Sequence, residues 1–130
     1  MGTMEVFVVT PDRELWSGQA TLVVARGSEG DVGIQVGHAP MLIQLGIGPL
    51  FVQTSSERVA VAVDGGFLHV ISQGGDSRVD VLAEHAELAT ELDAERVRQL
   101  RAEAEELARS DDPEAVIALA KATVRQNLLG

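Results

Sequence analysis

The side chains best suited to acid–base or metal chemistry in this chain are its three histidines, at positions 38, 69 and 85. A general base must lie within hydrogen-bond reach of the group that it deprotonates. His38 belongs to the turn sequence Gly37-His38-Ala39-Pro40, with no serine or cysteine nucleophile and no orienting carboxylate near it in sequence. The three histidines do not have the spacing of zinc ligands, and the chain contains no cysteine. We therefore predict neither a catalytic residue nor a metal site.

Glycine-rich and acidic segments offer two other kinds of site. Neither Gly27-Ser28-Glu29-Gly30 nor Gly65-Gly66 is followed by Lys-Ser/Thr or by a helix start, so neither matches a phosphate-binding loop. Both are typical of hairpin turns. The pair Asp111-Asp112 could bind a divalent ion, but its place before Pro113 favours a helix-capping role. These patterns indicate a non-catalytic adaptor or regulatory subunit.

Short apolar, β-branched runs separated by turn signals occupy the chain from Glu5 to Leu82. Their spacing is typical of an all-β sandwich or barrel. We count about ten short strands, with turns at Gly46–Pro49 and at Asp64-Gly65-Gly66 among others. The sequence therefore predicts a β-sandwich domain over residues 1–85.

The period of the apolar residues changes after Ala83 to steps of three, four and five, which indicate helices. One helix is predicted between Leu88 and Ser110, and a second from Pro113 to about Leu128. Because the connection is very short, the two helices must be antiparallel neighbours. The predicted fold is thus α+β, with a C-terminal two-helix hairpin over residues 86–130. Its narrow, alanine-rich apolar stripes indicate that it packs only marginally on the sandwich and could leave it.

Charge is distributed unevenly along the chain. The net charge is −10, which argues against nucleic acid as a partner, because phosphate binding needs a basic surface. Residues 84–114 carry eleven acids and four arginines, whereas residues 115–130 carry Lys121 and Arg125 and no acid. No apolar run approaches the ~20 residues that span a bilayer, so direct membrane insertion is not expected.

Five segments in order make the chain resemble the epsilon subunit of bacterial F-type ATP synthase. The most specific runs from Gly27-Ser28-Glu29-Gly30-Asp31-Val32-Gly33-Ile34 to Gly37-His38-Ala39-Pro40-Met41-Leu42. The family's GGFLEV strand is matched by Gly65-Gly66-Phe67-Leu68-His69-Val70, with His69 in place of the usual glutamate. The other matching segments are Val9-Thr10-Pro11-Asp12 with Trp16-Ser17-Gly18, Val79-Asp80-Val81-Leu82-Ala83 and Leu92-Asp93-Ala94-Glu95-Arg96.

This resemblance implies a non-catalytic rotor subunit in the central stalk. The sandwich would bind the gamma subunit and the membrane c-ring and help couple proton flow to ATP synthesis. The hairpin would fold down on the sandwich or extend toward the alpha and beta subunits, where it inhibits ATP hydrolysis. The implied location is peripheral, on the cytoplasmic side of the cell membrane. The resemblance places Asp31 and the turn with His38 toward the c-ring and gamma.

Some bacterial relatives bind ATP in the folded-down hairpin. The resemblance therefore implies ATP as a regulatory ligand, and no other cofactor is expected. Their motif is Ile/Leu-Asp-x-x-Arg-Ala, which Leu92–Arg96 matches, although Val97 replaces the alanine. Glu103 stands where a further arginine is expected and puts a negative charge near the phosphates. The residues that the resemblance assigns to a nucleotide site are Glu87, Asp93, Arg96, Lys121 and Arg125.

Two other functional hypotheses remain beside the rotor subunit. One is a stand-alone ATP-sensing module whose hairpin binds nucleotide; the competing interpretation of its motif is that Asp93 only starts the helix. The other is an unrelated small-molecule enzyme, for which the sandwich would need converging polar residues that the sequence does not supply.

Overall fold

A computed structural model describes residues 2–129, so the first residue of the predicted sandwich domain and the last residue of the predicted hairpin lie outside it. Two helices follow eight strands, as the α+β prediction requires. The strands are β1 (Met4–Val9), β2 (Glu14–Gln19), β3 (Leu22–Gly27), β4 (Gly30–Ile34), β5 (Met41–Gln53), β6 (Arg58–Gln73), β7 (Asp76–Ala83) and β8 (Ala86–Leu88). The helices are α1 (Ala94–Arg109) and α2 (Ala115–Leu128).

The strands form one mixed sheet that folds over itself into a sandwich. Its order is β2-β1-β7-β6-β5-β3-β4, with β8 paired to β6. Only the β1–β7 pair is parallel among the strands described; the other pairs are antiparallel. The predicted boundary between residues 85 and 86 falls just before β8.

The predicted number of strands is slightly too high, because two predicted turns are bends within long strands. β5 continues through Gly46–Pro49, and β6 continues through Asp64-Gly65-Gly66. The positive φ angles of Gly65 (82°) and Gly66 (126°) bend β6 without ending it. Its first half pairs with β8 and its second half with β7, so the bend carries one strand from one layer of the sandwich to the other.

Valine and leucine side chains from both layers fill the core. Along β6 the side chains alternate: Val61, Val63, Leu68 and Val70 belong to the main buried cluster. Ala62 is fully buried but lies outside that cluster. Because side chains on a strand alternate between faces, residues 62 and 64 face away from the core. This outer face is the one on which the hairpin docks.

The hairpin lies against the strands through its second helix. α2 packs against β5 and β6, and α1 packs against α2. The first helix begins at Ala94, six residues later than predicted, because residues 86–88 form β8 and residues 89–91 form a short 3-10 turn. The apolar seam is thin, as the alanine-rich stripes suggest: the buried apolar side chains of α2 are Ala115, Ala122 and Val124.

Candidate functional site

Arg125 is the centre of a charged cluster between the hairpin and the sandwich. Its guanidinium donates two parallel hydrogen bonds to the Asp64 carboxylate, Nη1 to Oδ1 at 2.9 Å and Nη2 to Oδ2 at 2.8 Å. Its Nε donates to Glu87 Oε2 at 2.7 Å, and Nη1 also donates to the Lys121 carbonyl at 3.1 Å. The side chains of Arg125 and Asp64 are only 3% and 4% exposed. The arginine therefore binds two carboxylates in a place almost without water.

Glu87, in β8, joins this arginine to the first helix. One of its carboxylate oxygens accepts from Arg125 and the other from Arg96 of α1. Burial by itself raises the pKa of Glu87, but the hydrogen bonds and charges of Arg125 and Arg96 outweigh burial and leave this pKa below its ordinary value. Burial likewise opposes the charge of Arg125, yet Asp64 and Glu87 raise its pKa. Glu87 and Arg125 are thus held ionised.

A cleft of about 270 Å³ opens beside this cluster, between the two helices and the sandwich. Four of the five residues predicted for a nucleotide site, Glu87, Arg96, Lys121 and Arg125, line it, and Glu103 lines it too. The volume is slightly below the ~300–1,000 Å³ of most small-molecule pockets. Two of its three cations already have carboxylate partners, and Lys121 has no ion-pair partner among residues 2–129.

Asp93 is the one predicted nucleotide-site residue that the structure does not bring to the cleft. It is the N-cap of α1, where its side chain accepts a hydrogen bond from the Glu95 backbone N–H at 2.9 Å. This satisfies one of the free donors at the helix start. The geometry corresponds to the alternative interpretation of the motif, in which Asp93 starts the helix.

Asp31 and His38 lie on two separate shallow depressions at the β4 edge of the sandwich. Asp31 pairs with Arg26 across the β3–β4 hairpin at 3.2 Å. The His38 N–H donates to the Gln35 carbonyl at 3.1 Å in a turn that needs the positive φ of Gly37, 87°. The His38 carbonyl accepts from Ser72 Oγ at 2.9 Å, which fixes the turn to β6. The two residues do not form one cluster.

Three large apolar side chains are exposed together on the outer face of the layer that contains β7, which is not the outer face that the hairpin covers. Phe67 of β6 pairs directly with Leu82 of β7, and Leu42 of β5 lies two residues along from the partner of Phe67. Their exposed fractions are 48%, 52% and 64%. We call Leu42, Phe67 and Leu82 the apolar patch. Apolar groups grouped in this way on a surface mark interaction sites.

Sequence reasoning missed Asp64 and the apolar patch. The sequence Asp64-Gly65-Gly66 predicts a turn, although the alternation of Val59, Val61 and Val63 with smaller residues places Asp64 on the same face as Ala62. The sequence alone does not show the apolar patch, because its three residues come together only when β5, β6 and β7 pair. No group of three metal-ligating side chains capable of holding an ion occurs among residues 2–129.

A family model described as "ATP synthase, Delta/Epsilon chain, beta-sandwich domain" matches residues 3–89. The chain is 49% identical over 105 residues to the ATP synthase epsilon chain of Streptomyces avermitilis, which covers 78% of this chain and 82% of the relative. It is 43% identical over 127 residues to the epsilon chain of Rhodococcus opacus, covering 96% of both.

Solved structures agree on the fold. A chain from the Euglena gracilis mitochondrial ATP synthase, in a structure of OSCP, F1 and c-ring, superposes with a TM-score of 0.82 and 21% identity, covering 100% of this chain and 83% of that one. A chain from the central stalk and c-ring structure of Tetrahymena thermophila superposes with a TM-score of 0.55 and 20% identity, covering 89% of this chain and 96% of that one. No helix among residues 2–129 has the length and apolar character to cross a membrane.

Proposed function

Because this chain belongs to the family of ATP synthase epsilon chains, we propose that it is part of the central stalk of an F-type ATP synthase, where it couples proton flow to ATP synthesis and restrains ATP hydrolysis through its hairpin. It is a non-catalytic subunit. The observation that carries the proposal is the similarity to the Rhodococcus opacus epsilon chain, which extends over 96% of both chains and so includes the hairpin.

The apolar patch supplies a docking surface for the stalk. Leu42, Phe67 and Leu82 lie on the outer face of the sandwich, away from its core, and each is about half exposed or more. A gamma subunit that covers this patch would remove three large side chains from water. Asp31 and His38, at the β4 edge, remain the residues proposed to face the c-ring or gamma. The complex would attach the chain peripherally to the cytoplasmic side of the membrane.

Binding to gamma tests the patch directly. Phe67→Ser should weaken capture by an immobilised gamma subunit by about tenfold or more, since central apolar anchors dominate interfaces. Val116→Ser is the matched control: Val116 is 75% exposed but lies at the start of α2, far along the chain from the patch. Equal capture of the Phe67→Ser variant and the unmodified chain would contradict the assignment.

The regulatory part of the proposal is tested in the assembled enzyme. A chain ending at Leu92 keeps β8 and its pairing with β6 but removes both helices. With this truncated subunit, we expect ATP hydrolysis by the complex to rise several-fold, because the extended hairpin can no longer reach alpha and beta. An unchanged rate, with the truncated subunit present in the complex, would remove the inhibitory role.

Nucleotide binding by the hairpin is the second candidate function. It is favoured by one observation, the convergence of Glu87, Arg96, Lys121 and Arg125 on a single cleft. A nucleotide phosphate would have to displace Glu87 from Arg96 and compete with Asp64 for Arg125. Calorimetric titration of the isolated chain with millimolar MgATP tests it: saturable heat that is lost in Arg96→Ala supports binding, and the absence of heat excludes it.

A further inference from the structure

A buried ion pair joins the hairpin to the sandwich. Among residues 2–129, the two buried charged side chains are Arg125 and Asp64. They face each other across the interface between α2 and β6. Four of the five N–H donors of the guanidinium have acceptors: two on Asp64, one on Glu87 and one on the Lys121 carbonyl. Such a parallel pair of N–H···O bonds tolerates little displacement.

This pair exists only while the hairpin is docked. Asp64 follows Ala62 on the outer face of β6, outside the core cluster, so what covers it is the hairpin and not the opposite layer of the sandwich. Undocking of α2 would return both charged groups to water. The pair therefore distinguishes the docked state from every other position of the hairpin, including docked positions shifted by one helical turn.

We propose that Asp64 and Arg125 form a latch that fixes the docked position of the hairpin without any bound ligand. Asp64 accepts hydrogen bonds from both Nη atoms of Arg125, which an external anion would otherwise bind. Glu87 of β8 and Arg96 of α1 extend the latch. The complete cluster contains two acids and two arginines, has no net charge, and joins β6, β8, α1 and α2. The regulatory meaning of this latch depends on the proposed function, but its existence in the isolated chain does not.

The geometry predicts an asymmetry between the two partners. Removal of Arg125 leaves Asp64 buried with no counter-charge, which strongly disfavours docking. Removal of Asp64 leaves Arg125 with Glu87 and the Lys121 carbonyl, so its effect is smaller. Removal of both partners takes away the orphaned carboxylate. The double variant should therefore dock better than Arg125→Met alone, a result that loss of packing at two places cannot give.

Pulsed electron spin resonance on the full chain measures these effects. The chain has no cysteine, so spin labels at Ser56→Cys, in the β5–β6 loop, and Val116→Cys, at the exposed start of α2, report the position of the hairpin. We expect one narrow distance in the parent. Arg125→Met should add a long, broad population and raise the undocked-to-docked ratio at least about tenfold. Asp64→Ala should raise it less, and the double variant should lie closer to the parent than Arg125→Met.

Arg109→Met is the matched control, since Arg109 is also an arginine of the hairpin but is exposed and, among residues 2–129, forms its ion pair with Glu106 of its own helix. Its distances should equal those of the parent, and millimolar MgATP should leave the parent's distances unchanged. Unaltered distances in Arg125→Met, or a double variant more open than Arg125→Met, would overturn the latch. A parent that docks only with MgATP would overturn its independence of ligand. Hydrolysis unaffected by truncation at Leu92 would instead remove the regulatory role and leave the latch intact.

Discussion

Gly66 is the position where the bend of β6 can be tested most directly. Its φ of 126° lies in a region that residues with a side chain rarely adopt. A Cβ added here would lie 2.2 Å from the Leu82 carbonyl oxygen and 2.8 Å from the Ala83 Cα. Both are backbone atoms of β7, the strand paired with this half of β6, and cannot rotate away. Gly66→Ala therefore forces the two strands apart.

The expected cost of this substitution follows from these contacts. Overpacking costs about 1–3 kcal/mol and a strained backbone conformation about the same, offset by about 0.4–1 kcal/mol from the stiffer unfolded chain. At the middle of these ranges, the free energy of unfolding should fall by about 3 kcal/mol. Gly74→Ala is the control, because Gly74 also has a positive φ, 62°, but a Cβ there meets nothing within 4 Å. It should cost about 1 kcal/mol.

Urea unfolding followed by circular dichroism and by the fluorescence of Trp16, the single tryptophan, gives both values. With a slope of about 1–3 kcal/mol/M, Gly66→Ala should lower the urea midpoint by about 1 M or more. Equal midpoints for Gly66→Ala and Gly74→Ala would refute the reasoning, since the two variants share the positive φ and differ in the contact with β7. That result would mean that β7 gives way and that the bend is not fixed.

Three further changes test the hairpin. The pKa of Glu87 is lowered in the folded chain, so its ion pairs contribute stability above the ordinary pKa of 4.5, and this stability is lost as pH falls through the lower folded value. The undocked fraction, measured by the spin-label distances, should therefore rise below about pH 4.5, and Glu87→Gln should flatten this rise. Arg101 donates to Thr123 Oγ1 at 2.8 Å and to Gln126 Oε1 at 3.3 Å, so Arg101→Ala should loosen α1 from α2 by about 1 kcal/mol, measured as faster amide exchange in both helices with β7 unchanged. Asp93→Ala removes the N-cap of α1 and should cost about 0.5–2 kcal/mol, whereas Asp93→Asn should keep most of the cap; equal thermal midpoints for these two variants would contradict the capping role.

Local patterns were enough for the type of most elements but not for their ends. The sandwich and the two helices follow from periods of two and of about 3.6 in the apolar residues, which depend on near neighbours only. The bends in β5 and β6 do not, because Asp64-Gly65-Gly66 sends the same local signal whether the chain turns back or the strand only bends. What decides is pairing on both sides: Gly66 pairs with Leu45 and with Ala83, far away in the sequence.

Pro49 illustrates the same difficulty in β5. A proline normally argues against a strand in the middle of a sheet, because it has no N–H for the ladder. Here β3 pairs with β5 at Phe51 and again at Leu45, and it leaves the intervening stretch of β5 without ladder partners on that side. Pro49 lies in this stretch. The proline is therefore compatible with a continuous strand, although nothing local to its position shows this.

The cleft residues divide in a similar way between sequence and structure. The resemblance groups Glu87, Arg96, Lys121 and Arg125, and the folded chain brings them together. It does not supply their partner Asp64, and this residue changes the chemistry of the cleft. An arginine facing an empty cleft attracts an anion from solution, whereas an arginine bound at both Nη atoms by a carboxylate of its own chain does not need one.

The thin apolar seam and the buried ion pair together suit the proposed role, in which the hairpin leaves the sandwich. A large apolar interface would make docking strong and hard to reverse, since the gain grows with the area buried. A buried ion pair adds little net stability compared with the two groups in water, because desolvation offsets the attraction. It does penalise every arrangement in which one charge is buried alone. The pair thus fixes where the hairpin docks without fixing how long it stays. Contacts with other subunits worth a few kcal/mol are then enough to shift the equilibrium between the docked and undocked hairpin.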